Sequence, residues 1–193
     1  MHAIYRFLIN IRYFLPGLLI RFDEKLLKDL TRWKTIHQIL GSDRSAAAEL
    51  LWNFKEFRSL VIYRLSSYPI RRRIVALFYP PLSTLYLDTS EIGGGLYIQH
   101  GFATMVAAKS IGENCWINQQ VTIGYNGQGD PPVIGDNVTI TCGAKVLGSI
   151  HVGNHVVVGA NAVVIRDVPD HCVVGGIPAR ILRSSANTDS DKC

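Results

Sequence analysis

Two hydrophobic rhythms divide this chain. Up to about residue 84 apolar residues recur at spacings of three and four. Within 45–66, SAAAELLWNFKEFRSLVIYRLS, the residues Leu50, Leu51, Phe54, Phe57, Val61 and Leu65 keep helical spacing, and Ser42 and Asp43 precede them as candidate caps. A shorter basic segment over 70–79 carries Arg71, Arg72 and Arg73 and then IVALFY. Pro80-Pro81 stops it, because proline donates no hydrogen bond and restrains the residue before it. Residues 1–84 are therefore predicted to be α-helical.

From about Leu85 the rhythm changes to six. Hexads that start at Ile92, Ile98, Ile111, Ile117, Ile123, Ile134, Ile140, Val146, Val152, Val158 and Val164 all open on Ile or Val. Glycine follows in Gly93, Gly112, Gly124, Gly135, Gly153 and Gly159. The fifth positions are mostly small or aliphatic, as at Val121, Val138, Ala144, Ile150, Val156, Ala162 and Val168. A strand alternates every two residues and a helix every 3.6, so neither produces a six. A parallel β-helix does, since each hexad is a short strand plus a turn whose first side chain points inward. Two breaks interrupt it. Ile98 to Ile111 spans thirteen residues, and Ile123 to Ile134 spans eleven, through YNGQGDPP. Breaks in a solenoid map to loops, which carry function on a rigid scaffold.

Composition sharpens this picture. Of 193 residues, 48% are hydrophobic and 18% charged, which excludes a disordered or low-complexity chain. The net charge of +5 is unevenly placed. Residues 1–84 hold 14 Lys+Arg against 6 Asp+Glu, net +8, and residues 85–193 hold 6 against 9, net −3. A basic first half suits anionic partners such as lipid head groups or a phosphorylated ligand. Four widely spaced cysteines, Cys115, Cys142, Cys172 and Cys193, form no CxxC pair and indicate neither a disulfide framework nor a zinc knuckle. The most apolar stretch, within residues 1–22, is broken by Arg6, Asn10 and Arg12 and kinked at Pro16. It fits neither a spanning helix nor a signal peptide, and reads as an ordinary helix packed on its neighbours or an amphipathic segment on a membrane surface.

The text from IGGGLYIQHGFAT through INQQVTIG and VIGDNVTITCGAKVLGSIHVGNHVVVGANAVVIRDVP to VVGGIPARIL resembles the hexapeptide-repeat acyltransferases. It is most similar to their serine O-acetyltransferase group, and in look to shorter members associated with bacterial polysaccharides. The resemblance implies an α+β chain: an α-helical region over 1–84, a left-handed parallel β-helix over 85–182, and a flexible tail over 183–193. It also implies acetyl-CoA as co-substrate, a homotrimer with active sites between subunits, and a cytoplasmic location, which residues 1–22 would bring to the inner membrane surface. Neither nucleic acid nor a metal is expected.

His100, in Gln99-His100-Gly101, stands where that group has its catalytic histidine. Acetyl transfer to a hydroxyl needs a base, because the alcohol proton must leave as oxygen attacks the thioester, and a neutral imidazole suits that task. By the same resemblance Gly124, Gly143, Ala144, Ala160 and Asn161 lie along the pantetheine arm, and Lys145 and Arg180 approach the nucleotide phosphates. A backbone N–H near Gly124 is a candidate oxyanion donor. Of His151, His155 and His171, the first two are four apart, but no third ligand accompanies them at a convincing spacing for zinc. The acceptor side departs from the pattern. Leu85 stands for the orienting aspartate, with Asp88 and Glu91 nearby; Gln99 replaces an acidic residue; and Asp130-Pro131-Pro132 replaces the loop histidine. A sugar hydroxyl on a glycan or its precursor is therefore the expected acceptor. The alternatives are free serine, as in cysteine biosynthesis, an amino sugar, and a non-catalytic β-helix scaffold.

Overall fold

A computed structural model describes residues 20, 22–127 and 129–184, and separates them into a helical unit up to Leu82 and a β unit from Ser83. The segment over 1–22 thus lies almost wholly outside the described residues, as does most of the tail over 183–193. Among the described residues no helix is long and apolar enough to cross a membrane.

The helical unit holds four helices: α1 (Glu24–His37), α2 (Asp43–Asn53), α3 (Lys55–Arg64) and α4 (Pro69–Phe78). Asp23 caps α1 by accepting from Leu26 N–H, and Ser42 caps α2 by accepting from Ser45 N–H. Leu26, Leu30, Trp33, Leu50, Leu51, Phe57, Leu60 and Leu65 fill its core. Asp29 on α1 is fully buried there, paired through two hydrogen bonds of 2.8 and 3.2 Å with Arg64 of α3. The single helix expected over 45–66 is two helices. Phe54 between them is extended at φ −122°, and its ring packs 4.1 Å from His37 and 5.9 Å from Trp33. Arg58 compensates the broken ladder, donating from Nε to Leu51 O and from Nη2 to Trp52 O.

The β unit is a solenoid of about five coils. Coil one is β1 (Leu85–Leu87), β2 (Glu91–Ile92) and β3 (Tyr97–Ile98); coil two is β4 (Thr104–Val106), β5 (Ser110–Ile111) and β6 (Trp116–Ile117). Coil three is β7 (Thr122–Gly124), β8 (Val133–Ile134) and β9 (Thr139–Ile140); coil four is β10 (Lys145–Leu147), β11 (His151–Val152) and β12 (Val157–Val158). Coil five is β13 (Val163–Val164), a bridge from Val168 to Val152, and β14 (Cys172–Gly175), on which β15 (Arg180–Ser184) folds back antiparallel. Three parallel sheets result. Face A stacks β1, β4, β7, β10 and β13; face B stacks β2, β5, β8 and β11; face C stacks β3, β6, β9, β12 and β14, with β15 beyond.

All eleven hexad-opening residues are at most 2% exposed, so the six-residue rhythm is the inward column of the coil. The glycine after several of them has a steric cause. Each coil's backbone N–H is received by a side chain of the next: Glu113 N–H donates to Asp136 Oδ1, Asp136 N–H to Asn154 Oδ1, and Asn154 N–H to Asp170 Oδ1. A Cβ at Gly112 would stand 2.2 Å from the Asp136 carboxylate, so only glycine admits that acceptor.

Candidate active site

Three faces make three edges, and His100 lies on the edge that leads from face C to face A. Register pairs Ile98 with Ile117 and Val106 with Ile123. The chain therefore takes eight residues from Ile98 to Val106 where the next coil takes six, and then five from Val106 to Ile111. The thirteen-residue step is thus an enlarged corner followed by a tightened one. In the enlarged corner His100 and Ala103 both hold left-handed backbones, at φ 61° and 49°, and Phe102 N–H donates to His100 O. The one at Ala103 recurs at Gln120, Gly143 and Asn161 on the same edge of the coils below, so the left-handed residue that the enlarged corner adds is His100. Thr104 fixes the far end, its hydroxyl donating to Phe102 O at 3.1 Å and Asn118 O at 3.4 Å.

The His100 side chain is exposed and forms no hydrogen bond among the described residues. Leu85, in the place of the expected orienting aspartate, pairs in register with Thr104 and is 7% exposed. Among the described residues no carboxylate is hydrogen-bonded to the His100 ring. Gln99 accepts from the Trp116 indole N–H at 3.2 Å. An indole N–H only donates, so the amide oxygen faces Trp116 and the NH₂ group is turned elsewhere.

Below His100 a backbone ladder runs down the same edge: Gln120 N–H donates to Phe102 O, Gly143 N–H to Gln119 O, and Asn161 N–H to Cys142 O. Gly143, Ala144, Ala160 and Asn161 are therefore brought together in one column with the histidine. Lys145 joins them, its Nζ donating to Gln120 O at 2.6 Å. The edge continues through Gly176, whose carbonyl receives Val163 N–H, and Arg180 leaves from its last coil. Four strand spacings separate the two ends, roughly 19 Å. Gly124 stands apart, at the other end of β7 on face A. A Cβ there would meet nothing within 4 Å, so packing does not require this glycine.

Sequence reasoning missed the groove beside the histidine loop. Thr84, Tyr86, Ala103, Thr104, Met105 and Thr122 line about 380 Å³ of space on face A. They come from three successive coils, so no local motif announces them. Thr84 Oγ1 is buried there without a hydrogen-bond partner, and so are Asn118 Oδ1 and Gln119 Oε1 on the coil below.

The remaining histidines take another place. His155 and His171 stack on neighbouring coils at the edge from face B to face C, rings 4.7 Å apart and 4° from parallel. Both have left-handed backbones, as do Gly95, Asn114 and Asn137 at the same corner of the coils above. The corner geometry explains them, since histidine and asparagine tolerate that region better than most residues. Beside them the Asn154 N–H holds the exposed Asp170 carboxyl below its ordinary value, with His171 and His151 adding to the effect. Among the described residues no three His, Cys, Asp or Glu side chains group as a metal site.

This is a solenoid built from hexads, with one histidine-bearing corner beside a groove. Residues 131–166 match the family model described as bacterial transferase hexapeptide (six repeats). A serine acetyltransferase of Synechococcus elongatus is 35% identical over 153 residues, 73% of this chain and 63% of that protein. One of Staphylococcus aureus is 43% identical over 98 residues, 49% of this chain and 46% of its own. The chain thus spans less than two thirds of the length of these relatives. A Neisseria gonorrhoeae serine acetyltransferase structure superimposes with a TM-score of 0.66 at 25% identity, covering 85% of this chain and 66% of that one. A serine acetyltransferase solved in complex with CoA shares the fold, with a TM-score of 0.59 at 23% identity over 80% of this chain and 67% of that one. The chain carries the bacterial transferase hexapeptide repeat over residues 131–166 and is similar to serine acetyltransferases in sequence and in fold. The expected glycan acceptor gains nothing from these relatives, which are named for serine.

Proposed function

We propose that the chain is an acetyl-CoA-dependent O-acetyltransferase whose first candidate acceptor is serine. The observation that carries this reading is the alignment of His100 with Gly143, Ala144, Ala160 and Asn161 on one edge. That edge offers a base at one end and small side chains along its length, which admit close approach by an extended thioester arm. Lys145 and Arg180, the cations near that edge, would take the nucleotide phosphates. Gly124, at the other end of β7 and with open space at its Cβ position, would leave room for the acetyl group, and a backbone N–H near it is the candidate oxyanion donor.

In the reaction, His100 takes the acceptor's hydroxyl proton as the oxygen bonds to the thioester carbonyl. The tetrahedral adduct then collapses, the C–S bond breaks, and the coenzyme thiolate leaves and takes up a proton. Acetyl-CoA as donor supports a cytoplasmic site of action. A homotrimer is supported by exposed Tyr86, Phe102 and Met105 beside the groove, apolar surface that a second subunit would cover.

A specific observation keeps a sugar hydroxyl as the second reading. Leu85 is hydrocarbon and the Gln99 oxygen is spent on Trp116, so neither supplies the carboxylate that the ammonium group of serine would prefer. Acetyl-CoA turnover against serine, monosaccharides and nucleotide sugars separates the two. On the best acceptor, His100→Ala is expected to slow the chemical step by about 10²–10⁴. A variant as fast as wild type removes His100 from the mechanism, and no transfer to any acceptor refutes the proposal.

A further inference from the structure

Helix α4 is turned the wrong way round for a helix of a soluble core. Val75 is its one buried residue, at 1% exposure, while Ile70, Leu77 and Phe78 are 74%, 77% and 55% exposed. At about 100° per residue these three and the half-buried Ile74 fall within one arc of about 100°. Arg73 flanks that apolar strip on one side and Arg71 on the other, and Arg72 is exposed as well. Arg71 also lies over the Tyr68 ring, 5.6 Å from its centroid, which keeps an aromatic group beside the charge. Between residues 57 and 87 there is no Asp or Glu at all.

We propose that α4 is a membrane-docking helix, which lays Ile70, Ile74, Leu77 and Phe78 into an anionic lipid surface and pairs the flanking Arg71 and Arg73 with its head groups. An exposed apolar strip bordered by arginines is the arrangement that interfacial helices use, combining apolar burial with attraction to negative lipid. Charge selects this occupant over others. A second copy docked face to face would set two arginine triplets together with no acidic residue in the segment to balance them. Residues 1–19 carry Arg6 and Arg12 and no Asp or Glu, so they offer α4 no complement either. This inference is independent of the acceptor and of acetyl transfer.

The test is co-sedimentation of the full chain with phosphatidylcholine vesicles, with and without phosphatidylserine. Binding is expected only with the anionic lipid and is expected to weaken as salt rises. The double variant Arg71→Gln, Arg73→Gln should lower partitioning about thirtyfold. The double variant Leu77→Asp, Phe78→Asp should abolish it, while both keep wild-type melting curves and acetyl-CoA turnover because the changed side chains are exposed. Equal binding to neutral vesicles overturns the proposal, as does binding unchanged in both variants, which would place the contact elsewhere in the chain. Absence of vesicle binding together with self-association that Leu77→Asp removes would make the occupant a second copy and would also overturn it.

Discussion

Two glycines two hexads apart should respond in opposite ways to the same added methyl group. At Gly112 the new Cβ would stand 2.2 Å from Asp136 Oδ1, 2.6 Å from the Gly135 carbonyl carbon and 2.7 Å from Asp136 N. The carboxylate can swing away, at the cost of its 2.7 Å hydrogen bond from Glu113 N–H, but the backbone atoms cannot. An exposed hydrogen bond of this kind contributes about 1 kcal/mol, and forcing an extra carbon into close packing costs about 1–3 kcal/mol. Against this, alanine restricts the unfolded chain and returns about 0.4–1 kcal/mol. Gly112→Ala should therefore destabilise by about 1–3 kcal/mol, a fall in melting temperature of roughly 2–12 °C for a chain of this size. At Gly124 the clash is absent, so Gly124→Ala should leave the melting temperature unchanged or slightly raised. If the open space beside Gly124 receives the acetyl group, the same variant should instead raise KM for acetyl-CoA or lower kcat. Thermal melts followed by circular dichroism, with thiol-release assays on the same samples, read both effects. A Gly112→Ala protein as stable as wild type would refute the steric account of the hexad glycine.

Three further outcomes are expected. Asp29→Ala removes the carboxylate paired with the Arg64 guanidinium, itself 5% exposed, and should destabilise the helical unit by about 3–5 kcal/mol in urea titration. Burial lowers the His37 imidazole from its ordinary value, so the folded state binds its proton less readily than the unfolded state. Its contribution is therefore complete above about pH 6.5 and is lost as pH falls through that value, and the pH dependence of melting should flatten in His37→Gln. If Lys145 takes a nucleotide phosphate as proposed, Lys145→Met should raise KM for acetyl-CoA by about tenfold with kcat unchanged; an unchanged KM would remove Lys145 from the donor site.

The solenoid was legible because its rule is repeated. Every coil needs branched aliphatics at the same inward positions, so Ile92 through Val164 announce themselves without any tertiary knowledge. The break before Ile111 located the histidine loop for a related reason, since a register that must be kept makes any insertion visible. The helical half was less readable. The periodicity of Leu50, Phe54, Phe57 and Val61 continues through the break at Phe54, which is decided by the ring's contacts with Trp33 and His37 on a helix seventeen or more residues away. The groove was not legible at all, because Thr84, Tyr86, Met105 and Thr122 become neighbours only once the coils are stacked. The pair His155 and His171 reads as chemistry in sequence and as corner geometry in structure.

The antiparallel return of β15 has a consequence for how such a stack ends. A parallel coil leaves its last strands with unpaired donors and acceptors, a template on which another molecule's first coil could continue the solenoid. Here β15 pairs with β14 in reversed polarity, and Ala179 N–H donates to Val163 O on the adjoining face. An incoming parallel strand would find that edge of face C already taken and running the wrong way. The hairpin thereby acts as a chain terminator on face C, disfavouring the end-to-end addition of a parallel coil there.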